Sequence, residues 1–330
     1  MSIEKKYSIR DIEPVKNPVE HIRKRPGMYI GRVDERGNLQ IIQYLFEFIT
    51  NHTHWTKAIF RYLENDSFQI EINNSLNLEL LTENTNSTNF ELFILPALSE
   101  KYNVRSNGKE LLFENGQLIA ESEVPKSDEL LIAFTFDTTI LRSKKLSKYL
   151  LLNFFKRYSF LYPEKEIIVY ENEKIAANFV SKGMKDWFET HSFDAALLME
   201  PFKLSVEDTS LDLKAEIQFS ITDGKEKFST ITLPRADFVI LNGTHTEGFL
   251  KGLQSAIRKI IGEDFRGAIF HEFRNPIGVF KLSYPEIVFH GPTRNKVGSK
   301  ELTTIFEKQV KQQLLSNSLF KEAIVKLYGL

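Results

Sequence analysis

The sequence predicts an α+β protein with two domains, and three observations support this. The chain has 330 residues, more than one hydrophobic core usually serves, so two domains of roughly 150 residues each are expected. Segments that alternate apolar and polar residues, typical of strands, occur between segments of helical periodicity. Hydrophobic residues make up 42% of the chain and charged residues 26%, a composition that supports folded cores.

Composition and charge exclude several classes of protein. Lys and Arg together number 43 and Asp and Glu 44, so the net charge argues against a protein that coats nucleic acid by bulk charge. The absence of cysteine excludes disulfide frameworks, thiolate metal sites and thiol nucleophiles. No apolar run approaches the roughly 18 residues of a membrane span. We therefore expect a soluble, cytoplasmic protein with no membrane contact.

The first predicted domain covers residues 21–192 and follows an N-terminal arm, residues 1–20, that prolines interrupt. Leu39, Ile42, Phe46 and Ile49 share one face of a helix predicted over 38–55. Asn107-Gly108 and Asn115-Gly116 predict hairpin turns between strands that run through residue 136. The other predicted elements are paired strands over 68–72 and 76–81 joined by an Asn-rich turn, helices over 91–102 and 146–158, and a strand over 166–170.

The second predicted domain covers residues 193–330. Residues 211–220 alternate as a strand, Asp223-Gly224 turns the chain, and residues 227–233 return as the next strand. A helix is predicted over 244–261, with a capping box formed by Thr244 and Glu247 and a stop at Gly262. Two strands and a helix over 299–314 follow, the helix with Leu302, Ile305, Phe306, Val310 and Leu314 facing inward.

Four segments carry a resemblance to a known family. His21–Arg36 (HIRKRPGMYIGRVDER), here called the signature segment, resembles the opening signature of the gyrase B subunits of type II topoisomerases. Leu45–Asn51 (LFEFITN) resembles the first ATP motif of that family. Asn242–Phe249 (NGTHTEGF) and Pro285–Gly298 (PEIVFHGPTRNKVG) resemble its transducer-helix segment and its phosphate-lysine loop. The matches follow the family order from residue 19 to about residue 315.

The resemblance implies a Bergerat-type (GHKL) ATPase domain, an α/β sandwich, followed by a smaller α+β transducer domain. In such a protein Glu47 would be the general base, and Asn51, one helical turn away, would hold Mg²⁺. Arg294 and Lys296 would occupy the loop that contacts the γ-phosphate of ATP. The same Glu-x-x-x-Asn spacing also arises by chance on many helices, and basic loop residues are often simply solvated.

Three departures from the family pattern predict that the ATP site is vestigial. The family has D-x-G-x-G after the strand that follows the first helix. With that strand at 76–81, these positions read Leu81, Thr82 and Asn84, and leucine cannot accept a hydrogen bond from adenine. No glycine occurs between Ser75 and Asn107, so the glycine-rich lid that cradles the phosphates is missing. Arg294 replaces the phosphate-binding lysine and Pro292 the glutamine before it.

The sequence therefore favours a gyrase-B-like pseudo-ATPase, a binding or regulatory module linked to DNA topology, over an enzyme. No cofactor is expected; the alternative is an active clamp that uses ATP with Mg²⁺. A third hypothesis is a nucleotide-independent DNA-binding module that uses the basic runs near Arg23 and Lys144. Expected partners are a topoisomerase subunit or a second copy in a homodimer, and DNA is possible. His52 and His54 lack a third ligand nearby, so no metal site is predicted.

Overall fold

The computed structural model describes residues 17–82, 91–192, 196–233, 237–239, 242–262, 269–270, 274–290 and 296–330. They form two compact units. The first unit contains the described residues up to Ser159 together with Glu164–Val180, and the second contains Phe160–Pro163 and the described residues from Ser181 onwards. The second unit thus begins earlier in the chain than the domain boundary predicted at residue 192.

The first unit opens with three helices, α1 (Pro18–Lys24), α2 (Pro26–Ile30) and α3 (Glu35–His52). The Asn17 side chain accepts a hydrogen bond from the Glu20 N–H, and Pro18 stands at the first turn of α1, where its missing N–H costs nothing. The predicted arm therefore extends too far, because residues 18–20 are helical; residues 1–16 lie outside the described part. The helix predicted over 38–55 is confirmed as α3, with its start and its end both three residues earlier.

Eight strands of the first unit form one sheet in the order β5-β4-β3-β6-β2-β1-β7-β8. β1 and β7 pair in parallel, and the other neighbours pair antiparallel. The strands are β1 (Lys57–Tyr62), β2 (Ser67–Ile72), β3 (Ser99–Ser106), β4 (Lys109–Glu114), β5 (Gln117–Glu123), β6 (Leu130–Phe136), β7 (Glu166–Glu171) and β8 (Lys174–Phe179), and the remaining helices are α4 (Glu79–Thr82), α5 (Glu91–Ala97) and α6 (Lys148–Leu161).

Two sequence predictions in this unit are wrong. Residues 76–81 do not form a strand, because β2 pairs with β1 and β6 and the chain then enters α4. The helix predicted over 91–102 ends at Ala97, and residues from Ser99 onwards join the sheet as β3 between β4 and β6. Strand pairing on both sides of β3 outweighs its local helical tendency. Both Asn-Gly hairpins are confirmed, with all four turn residues at positive φ.

The core of the first unit lies between the sheet and helices α3 and α6. Phe46 is fully buried and packs edge-to-face on Trp55, Phe155 and Tyr158. Such pairs stabilise a core beyond the apolar area they bury. The sheet contributes further buried side chains, Phe60, Phe68, Phe134 and Phe136.

The second unit contains a five-stranded sheet in the order β12-β11-β13-β10-β9. Its strands are β9 (Phe202–Asp208), β10 (Leu213–Thr222), β11 (Lys227–Leu233), β12 (Asp237–Val239) and β13 (Asn275–Ser283), and its helices are α7 (Met184–Ser192), α8 (Thr244–Ile261), α9 (Glu301–Ser316) and α10 (Ser318–Tyr328). Helices α8, α9 and α10 share a core around Phe219, Phe249 and Phe280. Trp187 and Phe188 of α7 belong to a second cluster with Ile231, Ile277 and Val279.

The hairpin predicted from Asp223-Gly224 does not form, because β13 lies between β10 and β11. β11 pairs in parallel with β13, and the chain returns to the sheet through α8. Parallel neighbours need such a crossover, so the long-range pairing replaces the local one. The helix at 244–261 is confirmed, with its stop at Gly262 (φ 99°). Among the described residues, no helix is long and apolar enough to cross a membrane.

Candidate functional site

Glu47 and Asn51 lie one helical turn apart near the C-terminal end of α3. Glu47 is half-buried and Asn51 is exposed. The helix ends directly afterwards, where Thr53 donates its N–H and its hydroxyl to the Ile49 carbonyl. The exposed Asn51 and the half-buried Glu47 therefore stand beside the junction between α3 and the sheet.

The residue that follows β2 is fully engaged within the fold. Asn73 accepts hydrogen bonds at Oδ1 from the N–H groups of Thr56 and Lys57, at 3.0 and 2.8 Å. Its Nδ2 donates to Thr56 Oγ1 at 2.9 Å, and its own N–H donates to the Lys57 carbonyl. This asparagine ties the end of β2 to the start of β1, so its side-chain amide is already committed to the fold.

The chain after Asn73 is packed against the core by apolar side chains. Leu76, Leu78 and Leu81 are all buried. The Leu76 N–H donates to Ser106 Oγ at 2.8 Å, and Asn77 Oδ1 accepts the Glu79 N–H at the start of α4. The alternating leucines that predicted a strand instead anchor a loop and a helical turn against the core. We call residues 73–82 the β2–α4 connection.

The signature segment holds the first unit together. Arg23 donates to the Ala97 carbonyl at 2.8 Å and to Asp137 Oδ2 at 2.7 Å. Burial would raise the pKa of Asp137, but hydrogen bonds from Thr139 and from the Arg23 guanidinium hold it below its usual range. This arginine therefore joins α1 to the end of α5 and to the end of β6.

Two further positions near the signature segment are fixed by packing. A Cβ added at Gly37 would lie 1.7 Å from the Arg32 carbonyl oxygen, so only glycine fits there. The buried Asn38 donates from Nδ2 to the carbonyls of Ser143 and Lys145, at 2.9 and 2.8 Å. The residues directly after the signature segment thus also fix the position of α3.

Four of the eight basic residues in the runs considered for DNA contact are paired with acidic groups. Besides the Arg23–Asp137 pair, Lys24 lies 2.5 Å from Glu20 and Lys144 lies 2.5 Å from Glu100. Lys148 pairs with Glu171, and burial lowers the pKa of Arg157. The structure therefore does not present these runs as a continuous stripe of unpaired positive charge.

Lys296 lies in the second unit, whereas Arg294 lies outside the described residues. The Lys296 ammonium is 4.0 Å from Glu247 Oε1, and both side chains reach solvent. Its neighbour Val297 accepts the Thr244 N–H at the start of α8. A Cβ at Gly243 would lie 2.5 Å from the Val297 carbonyl oxygen, so this contact requires glycine.

The predicted capping box of Thr244 and Glu247 does not form, because the N-cap residue is Gly243, which has no side chain to accept an N–H. Gly243 caps α8, and the third helical residue, Thr246, accepts the Gly243 N–H at Oγ1 and donates to its carbonyl.

Sequence reasoning also missed His245, which is fully buried and hydrogen-bonded through Nε2 to Thr230 Oγ1 at 2.7 Å. Among the described residues its Nδ1 has no hydrogen-bond partner, and burial lowers the pKa of this imidazole to about 3. Its position in the NGTHTEGF segment was the only signal available.

Other features of the described residues supply no catalytic arrangement. They contain no group of three or more His, Asp or Glu residues that could hold a metal ion. The His52 ring stacks on Phe48 and bonds to the Phe48 carbonyl. Cavities of about 470 and 670 Å³ in the first unit are lined by residues of the sheet and of α1, not by Glu47 or Asn51.

Comparisons with known proteins agree with the fold. No protein-family description matches the chain. The B subunit of DNA topoisomerase 4 from Borreliella burgdorferi is 27% identical over 342 residues, which cover 93% of this chain and 54% of that protein. The corresponding protein of Mycoplasma genitalium is 19% identical, over 93% of this chain and 56% of its own length. The chain thus spans somewhat more than half of the curated relatives it matches.

Solved structures share the fold over nearly the whole chain. The 43K ATPase domain of Thermus thermophilus gyrase B, solved with an aminocoumarin, superposes with a TM-score of 0.76 at 18% identity, covering 95% of this chain and 94% of that one. The DNA gyrase B protein of Myxococcus xanthus gives a TM-score of 0.75 at 17% identity, with coverages of 93% and 99%. The resemblance predicted from the signature segment is confirmed: this chain is a relative of the type II topoisomerase B subunits and has the fold of their ATPase region.

Proposed function

We propose that this chain is a gyrase-B-like ATPase and transducer region that has lost its nucleotide site and acts as a binding or regulatory module linked to DNA topology. The β2–α4 connection carries the proposal. Counted from the end of β2, the family's D-x-G-x-G positions fall on Asn73, Ser75 and Asn77. This corrects the placement at Leu81 expected from the sequence pattern, yet the aspartate and both glycines are still absent.

The residues present do not fit Mg-ATP. Both polar ends of the Asn73 side chain are already bonded to Thr56 and Lys57. A base bound there would have to displace these bonds, and an adenine amino group left unpaired would cost roughly 1–3 kcal/mol. Ser75 and Asn77 stand where the family has glycines that let the backbone approach the nucleotide, and buried leucines lie next to both positions. We therefore assign no catalytic step to the four candidate residues, Glu47, Asn51, Arg294 and Lys296.

The alternative is an active ATP-dependent clamp, and the shared face of Glu47 and Asn51 favours it. Calorimetric titration of the full chain with Mg-ATP and with a non-hydrolysable analogue separates the two proposals. We expect no saturable heat at millimolar nucleotide and no nucleotide-dependent change of association state in light scattering. Micromolar affinity, or a dimer that forms only with nucleotide, would return the chain to the enzyme class.

A matched pair of variants tests the role of Glu47. We expect Glu47→Ala to change thermal stability or partner binding and to leave ATP turnover at background, because no specific turnover exists. Glu35→Ala, in the first turn of the same helix, is the control. ATP turnover that is lost in Glu47→Ala and retained in Glu35→Ala would contradict the proposal.

The expected partners are a topoisomerase subunit or a second copy of this chain. DNA contact is a weaker candidate, because half of the basic residues in the runs near Arg23 and Lys144 pair with carboxylates. Affinity for duplex DNA measured across salt concentrations decides this point. A log–log slope near zero supports the proposed role, whereas a steep slope would favour the DNA-binding hypothesis.

A further inference from the structure

The outer edge of β9 is occupied by two glutamine side chains of α9. Gln309 accepts the Glu207 N–H at 3.2 Å and donates to the Glu207 carbonyl at 2.7 Å. Gln313 accepts the Ser205 N–H at 3.4 Å and donates to the Ser205 carbonyl at 2.6 Å. Each side-chain amide thus takes the place of a peptide group in a neighbouring strand. We call these two residues the glutamine clamp.

The clamp fits because of its spacing. Four residues along a helix advance about 6 Å, and two residues along a strand advance about 6.7 Å. Gln309 and Gln313 therefore face the backbone groups of two successive outward-pointing residues on β9. The opposite side of β9 pairs with β10, so without the clamp β9 would present an open sheet edge.

All four clamp bonds are exposed to solvent. If the clamp opens, water can take over the bonds of the glutamine amides, so another strand could replace them at little net cost. Cavities lie at both ends of the clamp: one of about 320 Å³ beside Lys203 and Gln313, and one of about 610 Å³ beside Asp208 and Gln309. An added strand would therefore have to displace both glutamine side chains from the edge.

The sequence of β9 is complementary to itself. Lys203, Ser205 and Glu207 alternate along the outward-pointing positions, and all three side chains are exposed. In an antiparallel, two-fold pairing centred on Ser205, each Lys203 faces Glu207 of the other copy. Three hydrogen-bonded residue pairs of this kind make about six backbone bonds, with an ion pair at each end.

We propose that the outer edge of β9 is a self-association surface for a second copy of this chain, which the glutamine clamp keeps closed. In the closed state, Gln309 and Gln313 of the same chain form the hydrogen bonds at the edge of β9. When the clamp opens, two edges pair and the sheets of two copies become continuous.

Clamp variants test the gate. Sedimentation velocity of the full chain should show that Gln309→Ala/Gln313→Ala strengthens self-association at least about tenfold over the parent chain. Circular dichroism and thermal melting establish that the variant is folded. A folded variant that associates no more strongly than the parent chain would overturn the proposal, because the glutamines would then only stabilise the monomer.

Charge variants test the register in the clamp-variant background. Lys203→Glu places a carboxylate opposite Glu207 of the other copy, so like charges face each other and association should weaken about tenfold. Lys203→Glu/Glu207→Lys restores opposite charges in the same two-fold register and should restore association. If the single and the double charge variants behave alike, the two copies do not meet at this edge.

A single cysteine reports the two-fold axis directly, since the chain has none of its own. In the proposed pairing the two Ser205 Cα atoms are about 5.5 Å apart, within the range of a disulfide. Ser205→Cys in the clamp-variant background should form a disulfide dimer under mild oxidation. Thr209→Cys, about 27 Å from its mate in that register, is the control. Equal cross-linking of the two variants would contradict the pairing.

Discussion

The signature segment and the β2–α4 connection show two different fates of motif residues. The signature segment matches the family pattern, and its Arg23 and nearby Gly37 and Asn38 hold helices and loops in place. The β2–α4 connection departs from that pattern, with Asn73, Ser75 and Asn77 where the family has aspartate and two glycines, and its three leucines are buried. Residues that stabilise the fold can keep the family's sequence pattern whether or not a ligand binds. Residues whose only role is to bind the ligand can depart from that pattern once the ligand no longer binds.

The largest loss of stability is expected from a substitution in the signature segment. Arg23→Ala leaves the Asp137 carboxylate, whose side chain is 2% exposed, without its cationic partner, and we expect a loss of about 3 kcal/mol in the free energy of unfolding. Urea denaturation at neutral pH measures this loss. Lys24→Ala removes an exposed pair with Glu20 and should change stability by less than about 0.5 kcal/mol. Equal effects would mean that the signature segment does not support the fold.

The next effect concerns the β2–α4 connection. Leu78 is 3% exposed, so Leu78→Ala should cost about 2–3 kcal/mol of unfolding free energy through lost burial and a residual cavity. Denaturant titration measures this cost, and Leu63→Ala, at a position 42% exposed, serves as the control. A loss below about 1 kcal/mol would mean that the connection is loosely packed and could open.

A third prediction extends the comparison to His245 in the second unit. Because its folded-state pKa lies near 3 and its ordinary value is 6.5, the unfolded chain binds the proton first as the pH falls. Stability from the neutral imidazole is complete above about pH 6.5 and declines below it, by about 2 kcal/mol at about pH 5. Unfolding measured at several pH values should show this decline in the parent chain.

Two histidine variants isolate that effect. His245→Gln should flatten the decline between about pH 6.5 and pH 4, even though it lowers stability at neutral pH. His54→Gln, at an exposed position, should leave the decline unchanged. A profile that stays the same in His245→Gln would place the responsible group elsewhere.

The smallest expected effect concerns Asn73. Asn73→Ala removes the bonds to Thr56 and Lys57 and should cost about 1–2 kcal/mol, since this position is exposed and water can replace part of the loss. Asn73→Asp restores the family's carboxylate but leaves the leucines in place, so we expect no nucleotide binding by calorimetry. Saturable binding of Mg-ATP by Asn73→Asp would show that Asn73 alone, and not the whole β2–α4 connection, prevents nucleotide binding.

Sequence periodicity by itself determined much of the local structure. The apolar stripes of α3 and α8 predicted both helices because one buried face repeats every three or four residues. The Asn-Gly pairs at 107 and 115 predicted both hairpins because their residues accept positive φ. The resemblance to the gyrase B subunits was evident from the signature segment, and the absence of glycine between Ser75 and Asn107 was visible in the sequence alone.

Only the tertiary structure decided which strands pair and which side chains bond at a distance. Residues Leu76–Leu81 have the apolar–polar alternation of a strand. However, β2 already pairs with β1 on one side and with β6 on the other, so the leucines are buried in the core instead. β13, more than fifty residues away from β10 in sequence, lies between β10 and β11. The hydrogen-bond partners of Asn73, His245 and the glutamine clamp could not be predicted from the sequence, because long-range packing fixes them and no short window of sequence contains them.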